Sequence, residues 1–391
     1  MRVLFTSQRG SGHWHPLVPL AEALKEKGHE VAFSSTPSVG PDIIANGFRF
    51  FPVGVDESPE VVRERQQIQA RSEPGAHGNY MQEYVFAGVR AERNLPDLLN
   101  VISNWHPDIL VRENTEYAGY IAAESAGIPH AALQITAFRP HLIDVVTEPL
   151  NRLHASMGLP ANHHIDALYR YLLLTPRPPV LWNPDAPMPS TTHAFRYAAF
   201  NQSGEEALPG WIARMPKQPT GYASLGTVFN HMTGLLTSIL EGLRDEPINL
   251  ILSVGRNTDP QTFGKQPPNV HIECYIPQSL LLPYCNLLVT QGGSGTMMDA
   301  LSHGLPMVMI PIGADQPENA QCCAELGVSR VLGRGERTAQ AIQEAVREVL
   351  RNSQYTQNAQ GIKQAIEAQP TLDYAVSLLE RLAVEHQPLL S

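Results

Sequence analysis

The chain has 391 residues, a length that predicts two domains, and its hydrophobic fraction of 43% is ample for two cores. The net charge of −10 argues against a nucleic-acid-binding surface. No apolar run reaches the roughly 20 residues that span a bilayer, and the four cysteines lack metal-ligand spacing. We therefore expect no integral membrane association and no metal site. Because Met1 leads directly into a strand, we also expect no signal peptide and a cytoplasmic location.

The amino-terminal half predicts alternating strands and helices, the pattern of a parallel α/β domain. Strands are predicted at residues 3–7, 31–34, 108–111 and 130–135, and helices at 16–27, 80–102 and 117–126. The polar stretch 53–78 is interpreted as a mobile loop near the entrance for a substrate, and 138–174 as an irregular apolar region. The adjacent histidines His163 and His164 do not make a metal site by spacing alone.

The loop after the first predicted strand contains Gly10, Gly12 and His13. A dinucleotide fingerprint would need a third glycine where His15 stands, so an NAD site of that kind is excluded. The loop after strand 108–111 contains Glu113 and Glu116, and the carboxyl ends of parallel strands meet at one sheet edge. One of these carboxylates could orient His13 and stabilise its protonated form. Alternatively, both glutamates cap the following helix, and His13 is an ordinary surface residue.

The second half begins after a connector rich in Gly and Pro at residues 201–219. Strands are predicted at 221–225, 249–254, 270–274, 287–290 and 307–310. A helix is predicted directly after Thr227 and through residue 243, with later helices at 338–351, 353–368 and 372–385. By this interpretation Thr227 stands at a helix start, where a phosphate can be bound.

A glycine-rich turn, residues 292–296, separates strand 287–290 from a predicted helix. The first N–H groups of a helix have no internal partner and the helix dipole favours negative charge, so this turn predicts a phosphate site. Ser294 and Thr296 add hydroxyl donors. Asp315 and Gln316 follow the next strand and should face the same crevice, where they could bind sugar hydroxyls. A turn that only closes tightly is the alternative.

The stretch 286–319, the G-H-x-x-P run at 12–16 and the Y-x-P-Q run at 275–278 resemble the nucleotide-sugar-dependent glycosyltransferases with the GT-B fold, which include plant natural-product and bacterial antibiotic enzymes. The resemblance implies an α/β fold of two Rossmann-like parallel-sheet domains facing a central cleft. It also implies a carboxy-terminal helix that crosses back to the first domain. The domains are predicted at 1–202 for the acceptor and 220–370 for the nucleotide sugar, with a linker at 203–219 and the returning helix at 371–391.

The resemblance also implies roles for individual residues. His13 is expected to be the catalytic general base and Glu113 its carboxylate partner, where the family usually has Asp; Glu116 is a second candidate. Donor binding is expected at Gly12, Thr227, Tyr275, Ile276, Gln278, Gln291, Gly293, Ser294, Gly295, Thr296, Asp299, Asp315 and Gln316. By the resemblance, Tyr275 and Ile276 hold the nucleotide base, Gln278 and Asp299 contact the ribose, and Gln291 lies beside the diphosphate. Gln291 stands where the family has His, and because Gln cannot protonate, we expect weaker donor binding.

The function implied is inverting, metal-independent transfer of a sugar from a UDP- or dTDP-sugar to a hydroxyl of a small apolar acceptor, such as a polyketide or phenolic natural product. No cofactor is expected, and the protein could be a monomer or a homodimer. The sequence does not decide between UDP and dTDP. Two alternatives stay open: a nucleotide-sugar 2-epimerase of the same fold, and a sugar-nucleotide-binding protein without catalysis.

Overall fold

A computed structural model describes residues 1–58, 60–63, 67, 78–161, 165–200, 207–227, 229–230 and 232–391, with only the backbone described at 165 and 166. The chain divides into two compact units. Unit 1 comprises Met1–Phe200 together with Gln369–Ser391, and unit 2 comprises Asn201–Ala368. The last segment of the chain thus belongs with the first, as the resemblance predicts.

Unit 1 is built on a sheet that has seven strands in the described chain, in the order β3-β2-β1-β4-β5-β6-β7, with every pair parallel. Their bounds are β1 (Arg2–Thr6), β2 (Glu30–Ser35), β3 (Arg49–Pro52), β4 (Ile109–Glu113), β5 (His130–Leu133), β6 (Leu172–Thr175) and β7 (Thr192–Ala194). Strands β1 and β4 are central neighbours, and β4 is buried along its whole length. Continuous apolar runs of this kind are typical of parallel strands covered on both faces.

Helices cover both faces of this sheet. Those of unit 1 in the described chain are α1 (Ser11–Trp14), α2 (Val18–Glu26), α3 (Gly40–Ala45), α4 (Ala91–Trp105), α5 (Ala118–Ala126), α6 (His141–Ser156), α7 (Ile165–Leu168) and, after unit 2, a final helix at Leu372–Glu385. A π-helical segment, Met81–Arg90, runs directly into α4. The final helix buries Leu378, Leu379 and Leu382 in the same core as Leu17 and Leu20.

Unit 2 has a sheet of six described strands, again all parallel, in the order β10-β9-β8-β11-β12-β13. The strands are β8 (Thr220–Ser224), β9 (Asn249–Ser253), β10 (Val270–Glu273), β11 (Leu287–Thr290), β12 (Met307–Met309) and β13 (Ser329–Val331). The helices are α8 (Thr233–Leu243), α9 (Gln278–Leu281), α10 (Ser294–Ser302), α11 (Gln316–Glu325), α12 (Ala339–Arg351) and α13 (Ser353–Glu367), which makes the final helix of unit 1 α14. The order of the strands places β11 and β12 side by side, so both of their following turns lie at one edge.

Three local predictions were wrong. His13 lies on the short helix α1 rather than in a loop, and the region predicted to be irregular contains the sixteen-residue helix α6. The helix predicted directly after Thr227 begins only at Thr233. Most of the predicted loop at 53–78, and both His163 and His164, lie outside the described residues. Among the described helices, none is long and apolar enough to span a bilayer.

Candidate functional site

His13 and Glu113 contact each other at the carboxyl edge of the unit 1 sheet. Glu113 is the last residue of β4, and His13 lies on α1, just beyond the neighbouring strand β1. The Nδ1 of His13 lies 2.9 Å from Oε1 of Glu113. The glutamate side chain is fully buried, whereas 26% of the histidine side chain is exposed. The imidazole can therefore meet a substrate while its partner is shielded from water.

The carboxylate of Glu113 is ionised by its surroundings. Burial alone would raise its pKa, but the charge and hydrogen bond of His13, with bonds from the Thr115 backbone and side chain, hold the pKa of Glu113 below its usual range. An ionised carboxylate only accepts hydrogen bonds, so Nδ1 of His13 carries the proton in this pair. In the neutral form of the imidazole the other ring nitrogen, Nε2, is the unprotonated one and can accept a proton from a hydroxyl group.

Glu116 occupies a different place from Glu113. Its Oε2 accepts hydrogen bonds from Thr6 Oγ1 at 2.6 Å and from the backbone N–H of Gly119 at 2.9 Å. Burial raises the pKa of Glu116, opposing its ionisation. The bond to Gly119 lies in the first turn of α5, so Glu116 takes the capping role and Glu113 takes the contact with His13.

A concave pocket adjoins Glu113 through Thr115. Its lining is mixed aromatic and polar and includes Gln82, Tyr117, Phe138 and Tyr169. Tyr117 donates its hydroxyl to Gln82 at 2.8 Å, and burial raises the pKa of Tyr117. The phenol of Tyr117 is thus a neutral hydrogen-bonding group in the wall of this pocket.

The glycine turn of unit 2 follows β11 as predicted. Gly292 adopts φ 86°, a left-handed conformation that suits glycine, and α10 begins at Ser294. The N-cap residue of α10 is Gly293, which has no side chain to occupy this helix start, and a helix N-terminus favours an anion. Gly295 is exposed and Thr296 is partly buried at this helix start.

Ser294, Asp315 and Asn319 form a hydrogen-bonded cluster behind the turn. Ser294 Oγ donates to Asp315 Oδ2 at 2.7 Å. Asn319 Nδ2 lies 2.9 Å from the same Oδ2 and 3.0 Å from the carbonyl oxygen of Gly292. The cluster ties the glycine turn to the start of α11. It also directs the serine hydroxyl to a carboxylate.

Gln316 is held by the turn that precedes it. Its Oε1 accepts hydrogen bonds from the backbone N–H groups of Ile312 at 2.8 Å and Gly313 at 3.0 Å. Within the described chain, Gln316 Nε2 and Asp315 Oδ1 have no hydrogen-bond partner. Both are therefore available to a ligand at the edge where β11 and β12 end.

The residues after β10 and on α10 form a second group on the same sheet edge. Gln278 Nε2 donates to Asp299 Oδ2 at 2.6 Å, so the two predicted ribose contacts are in contact with each other. The ring of Tyr275 is 40% exposed and lies 4.7 Å from the guanidinium of Arg256, while Ile276 is buried. Arg256 therefore stacks on the aromatic side chain predicted to flank the nucleotide base.

Gln291 and Thr227 lie at the ends of the neighbouring strands β11 and β8. Gln291 is buried, its Oε1 accepts from Thr290 Oγ1 at 2.9 Å, and its Nε2 lies so close to Gly226 that a Cβ there would overlap it. Thr227 is exposed in the turn after β8 and stands six residues before α8. The argument that a helix start makes Thr227 a phosphate donor is therefore wrong.

Sequence reasoning missed two residues that support the site residues of their own unit. Thr115 donates a hydrogen bond to Glu113, and Asn319 donates to Asp315 and to the Gly292 carbonyl. Asn319 follows Asp315 by four residues at the start of a helix, and this spacing on one helical face could have revealed it. Among the described residues, no group of three or more His, Cys, Asp or Glu side chains could hold a metal ion.

Family models match most of the chain. The amino-terminal model, "Erythromycin biosynthesis protein CIII-like, N-terminal domain", matches residues 22–218, and its carboxy-terminal counterpart matches residues 239–382. The chain belongs to the erythromycin biosynthesis protein CIII-like family. It is a glycosyltransferase of family 1 with the GT-B fold, as the sequence predicted.

Relatives of known function support this assignment. The L-demethylnoviosyl transferase of Streptomyces niveus is 30% identical, over 84% of each chain. The 10-deoxymethynolide desosaminyltransferase of Streptomyces venezuelae is 28% identical over 99% of this chain and 98% of its own.

Solved structures agree with the fold. The glycosyltransferase VinC in complex with dTDP matches with a TM-score of 0.79 at 25% identity, over 98% of this chain and 99% of VinC. The spinosyn rhamnosyltransferase SpnG has a TM-score of 0.82 at 22% identity, over 97% of this chain and 100% of its own. The likeness extends over nearly the whole length of both chains in each case.

Proposed function

We propose that this glycosyltransferase moves a sugar from a dTDP-sugar to a hydroxyl of a small apolar acceptor, with inversion at the anomeric carbon and His13 as the general base. The contact between His13 and Glu113 carries the proposal. It joins a partly exposed imidazole to a fully buried ionised carboxylate, 2.9 Å away. A pair of this kind accepts a proton and stabilises the imidazolium that results.

The reaction proceeds in one displacement. His13 Nε2 takes the proton of the acceptor hydroxyl as its oxygen forms a bond to the anomeric carbon. The bond between that carbon and the diphosphate oxygen breaks, and the nucleoside diphosphate leaves with the electron pair. Because the new bond forms opposite the leaving group, the configuration inverts. Glu113 stabilises the imidazolium until the proton passes to solvent.

Donor groups come from unit 2. The N–H groups at the start of α10, with the hydroxyl of Thr296, face the diphosphate and stabilise its growing charge. Ser294 is assigned to orienting Asp315, because its hydroxyl proton is directed there. Asp315 Oδ1 and Gln316 Nε2 are left for the sugar hydroxyls. Gln278 and Asp299 would meet the ribose, and Tyr275 the base.

The choice of nucleotide and acceptor is supported by relatives. VinC was solved with dTDP, and the relatives that this chain matches over most of its length carry names of antibiotic sugar transfer. The wall beside Thr115 offers aromatic rings and hydrogen-bonding groups, among them Phe138, Tyr169 and Gln82, that can contact an acceptor carrying hydroxyl groups. We therefore place the acceptor in unit 1, beside His13.

The test combines product analysis with two histidine variants. The protein is incubated with dTDP-glucose or UDP-glucose and a panel of polyketide and phenolic acceptors, and glycosides are detected by mass spectrometry. We expect a glycoside with dTDP-glucose. The coupling constant of its anomeric proton, measured by NMR, should show the inverted configuration. His13→Ala should abolish transfer and leave dTDP affinity nearly unchanged. The matched control is His29→Ala, because His29 also lies 2.9 Å from a glutamate, Glu380, at the opposite sheet edge.

Other outcomes would contradict parts of the proposal. Transfer that survives in His13→Ala would refute the base, and a retained configuration would refute the single displacement. Preference for UDP-glucose would refute the nucleotide. Formation of a C2 epimer without glycoside would favour an epimerase, and nucleotide binding with no turnover would favour a binding protein.

A further inference from the structure

Gln8 connects the catalytic pair to a second layer of buried polar groups. Its side chain is buried immediately after β1, and its backbone N–H is directed at Glu113 Oε1 at 3.4 Å. Its Nε2 donates to the backbone carbonyl of Thr115 at 3.2 Å. Gln8 thus holds both the carboxylate and the Thr115 segment that donates hydrogen bonds to that carboxylate.

Arg90 holds Gln8 from the other side. Its Nη1 donates to Gln8 Oε1 at 3.0 Å, and its Nη2 donates to Glu57 Oε1 at 3.0 Å. Both charged side chains are about nine-tenths buried, and Arg9 Nη1 lies 3.3 Å from the second oxygen of Glu57. Glu57 is thus shared between Arg90 and Arg9, and its negative charge offsets part of the positive charge that Arg90 brings near the imidazole.

Phe86 provides a second connection from Arg90 to the catalytic histidine. The Arg90 guanidinium lies 5.2 Å from the Phe86 ring, and the same ring meets the His13 ring edge to face at 5.9 Å. Phe86 and Arg90 both lie on the π-helical segment Met81–Arg90, a rare conformation that is frequent at functional sites. Arg90 therefore contacts both Gln8, which is hydrogen-bonded to Glu113, and Phe86, which packs against His13.

We propose that Arg90 is a positioning residue for acceptor activation: through Gln8 it fixes the carboxylate of Glu113, and through Phe86 it fixes the ring of His13. This inference rests on the proposed function of His13 as the base. Arg90 does not touch the reacting atoms. Its effect is on how often Nε2 points at the acceptor hydroxyl, so it should act on turnover and not on donor binding.

The kinetic test compares Arg90→Met with Arg93→Met, a matched removal of an exposed arginine three residues along the same helical run. Misplacing a catalytic group by about 1 Å can cost on the order of 100-fold in rate. We therefore expect kcat to fall about 10- to 100-fold in Arg90→Met, with the KM for dTDP-sugar unchanged. Arg90→Lys should restore part of kcat, because one ammonium can reach Gln8 or Glu57 but cannot bridge them. Arg93→Met should behave as wild type.

A double-mutant cycle separates positioning from a general effect on the fold. In a Glu113→Gln background, the Arg90→Met change should cost much less than it does alone, because the pair that it positions is already impaired. Equal costs in both backgrounds would overturn the proposal, as would an unchanged kcat or a loss that appears in the donor KM. If Arg90→Met does not fold, Arg90→Lys and Phe86→Leu are taken through the same cycle, with the same outcomes decisive.

A spectroscopic readout keeps this proposal distinct from the assignment of the base. The ring ¹⁵N resonances of His13, assigned by their loss in His13→Ala, report which nitrogen carries the proton. Arg90→Met should move them toward an average of the two tautomers, and Arg93→Met should not. Unchanged resonances would overturn the positioning role even if His13 is the base. If His13→Ala keeps full transfer, the proposed function fails while the resonances still report whether Arg90 orients the ring.

Discussion

Asn319→Leu should weaken nucleotide-sugar binding by releasing the glycine turn of unit 2. Leucine has nearly the shape of asparagine but no donor, and the Asn319 side chain is fully buried. The substitution removes the hydrogen bonds to the Gly292 carbonyl at 3.0 Å and to Asp315 Oδ2 at 2.9 Å. It leaves both acceptors in place, so each loses a donor that the leucine cannot replace.

The magnitude follows from the two acceptors. A neutral hydrogen bond contributes about 1 kcal/mol and one to a charged group about 1.5–3 kcal/mol, so unit 2 should lose about 2.5–4 kcal/mol of unfolding free energy. For a domain of about 150–250 residues, each kcal/mol moves the melting temperature by roughly 2–4 °C, which gives a fall of about 5–16 °C. In Asn319→Leu the glycine turn must become ordered when dTDP binds. This cost should raise the Kd for dTDP about tenfold, equivalent to about 1.4 kcal/mol.

The matched control is Asn249→Leu. Asn249 is also buried and its Nδ2 reaches the carbonyl of Pro216 at 3.0 Å and Thr220 Oγ1 at 3.2 Å, but it opens β9 at the opposite edge of the sheet. Differential scanning calorimetry should show destabilisation in both variants, and isothermal titration calorimetry should show weaker dTDP binding only in Asn319→Leu. Equal losses of affinity in the two variants, or normal affinity in Asn319→Leu, would refute this account of the turn.

Three further outcomes are expected. Gln291→His should lower the Kd for dTDP by up to about tenfold at pH 6 and by less at pH 8, because only a protonated imidazole adds a charge-assisted bond; weaker binding at both pH values would count against its place beside the diphosphate. Gly226→Ala should raise the Kd for dTDP, since Gly226 has φ 67° and a Cβ would displace the Gln291 amide. An unchanged Kd in a fluorescence titration with dTDP would contradict this expectation. Burial raises the pKa of Glu113, but His13 lowers it, and the net pKa lies below the usual glutamate value. The ionised carboxylate therefore stabilises the folded unit 1 at pH values above the usual glutamate pKa. This stabilisation is lost as the pH falls through the lowered pKa. Glu113→Gln should flatten this acid-side fall in melting temperature, and an unchanged slope would argue against the assignment.

The central strands could be predicted because their side chains are buried in succession, whereas β3, β6, β7 and β13 were not predicted. Residues 287–290 and 307–310 are short continuous apolar runs closed by glycine or proline, and they match β11 and β12 to within one residue. The helix α6 was missed although Leu142, Val146, Leu150 and Leu153 repeat at helical spacing and are buried. Pro149 stands among them, and the helix continues through it, although proline usually interrupts a helix.

The candidate site was predictable where it rests on the ends of strands and not where it rests on side-chain geometry. The order of the strands brings His13 and Glu113 to one edge, and sequence reasoning reached both. It could not choose between Glu113 and Glu116 as the partner of His13, because the choice depends on which carboxylate accepts the hydrogen bonds of Thr6 and Gly119. The start of α8 was misplaced, since the helix begins at Thr233 and not directly after Thr227. Nor could the sequence reveal that the serine of the glycine turn donates to Asp315.

The return of α14 to unit 1 has a consequence for the order in which the protein forms during translation. The ribosome completes unit 2 before it makes α14, so unit 2 can fold while unit 1 still lacks part of its core. Until then, the surface that will receive Leu378, Leu379 and Leu382 is an uncovered apolar face of a nascent chain. Unit 1 therefore completes its core last, and a stalled or shortened chain would present a finished unit 2 with a unit 1 that still lacks this helix.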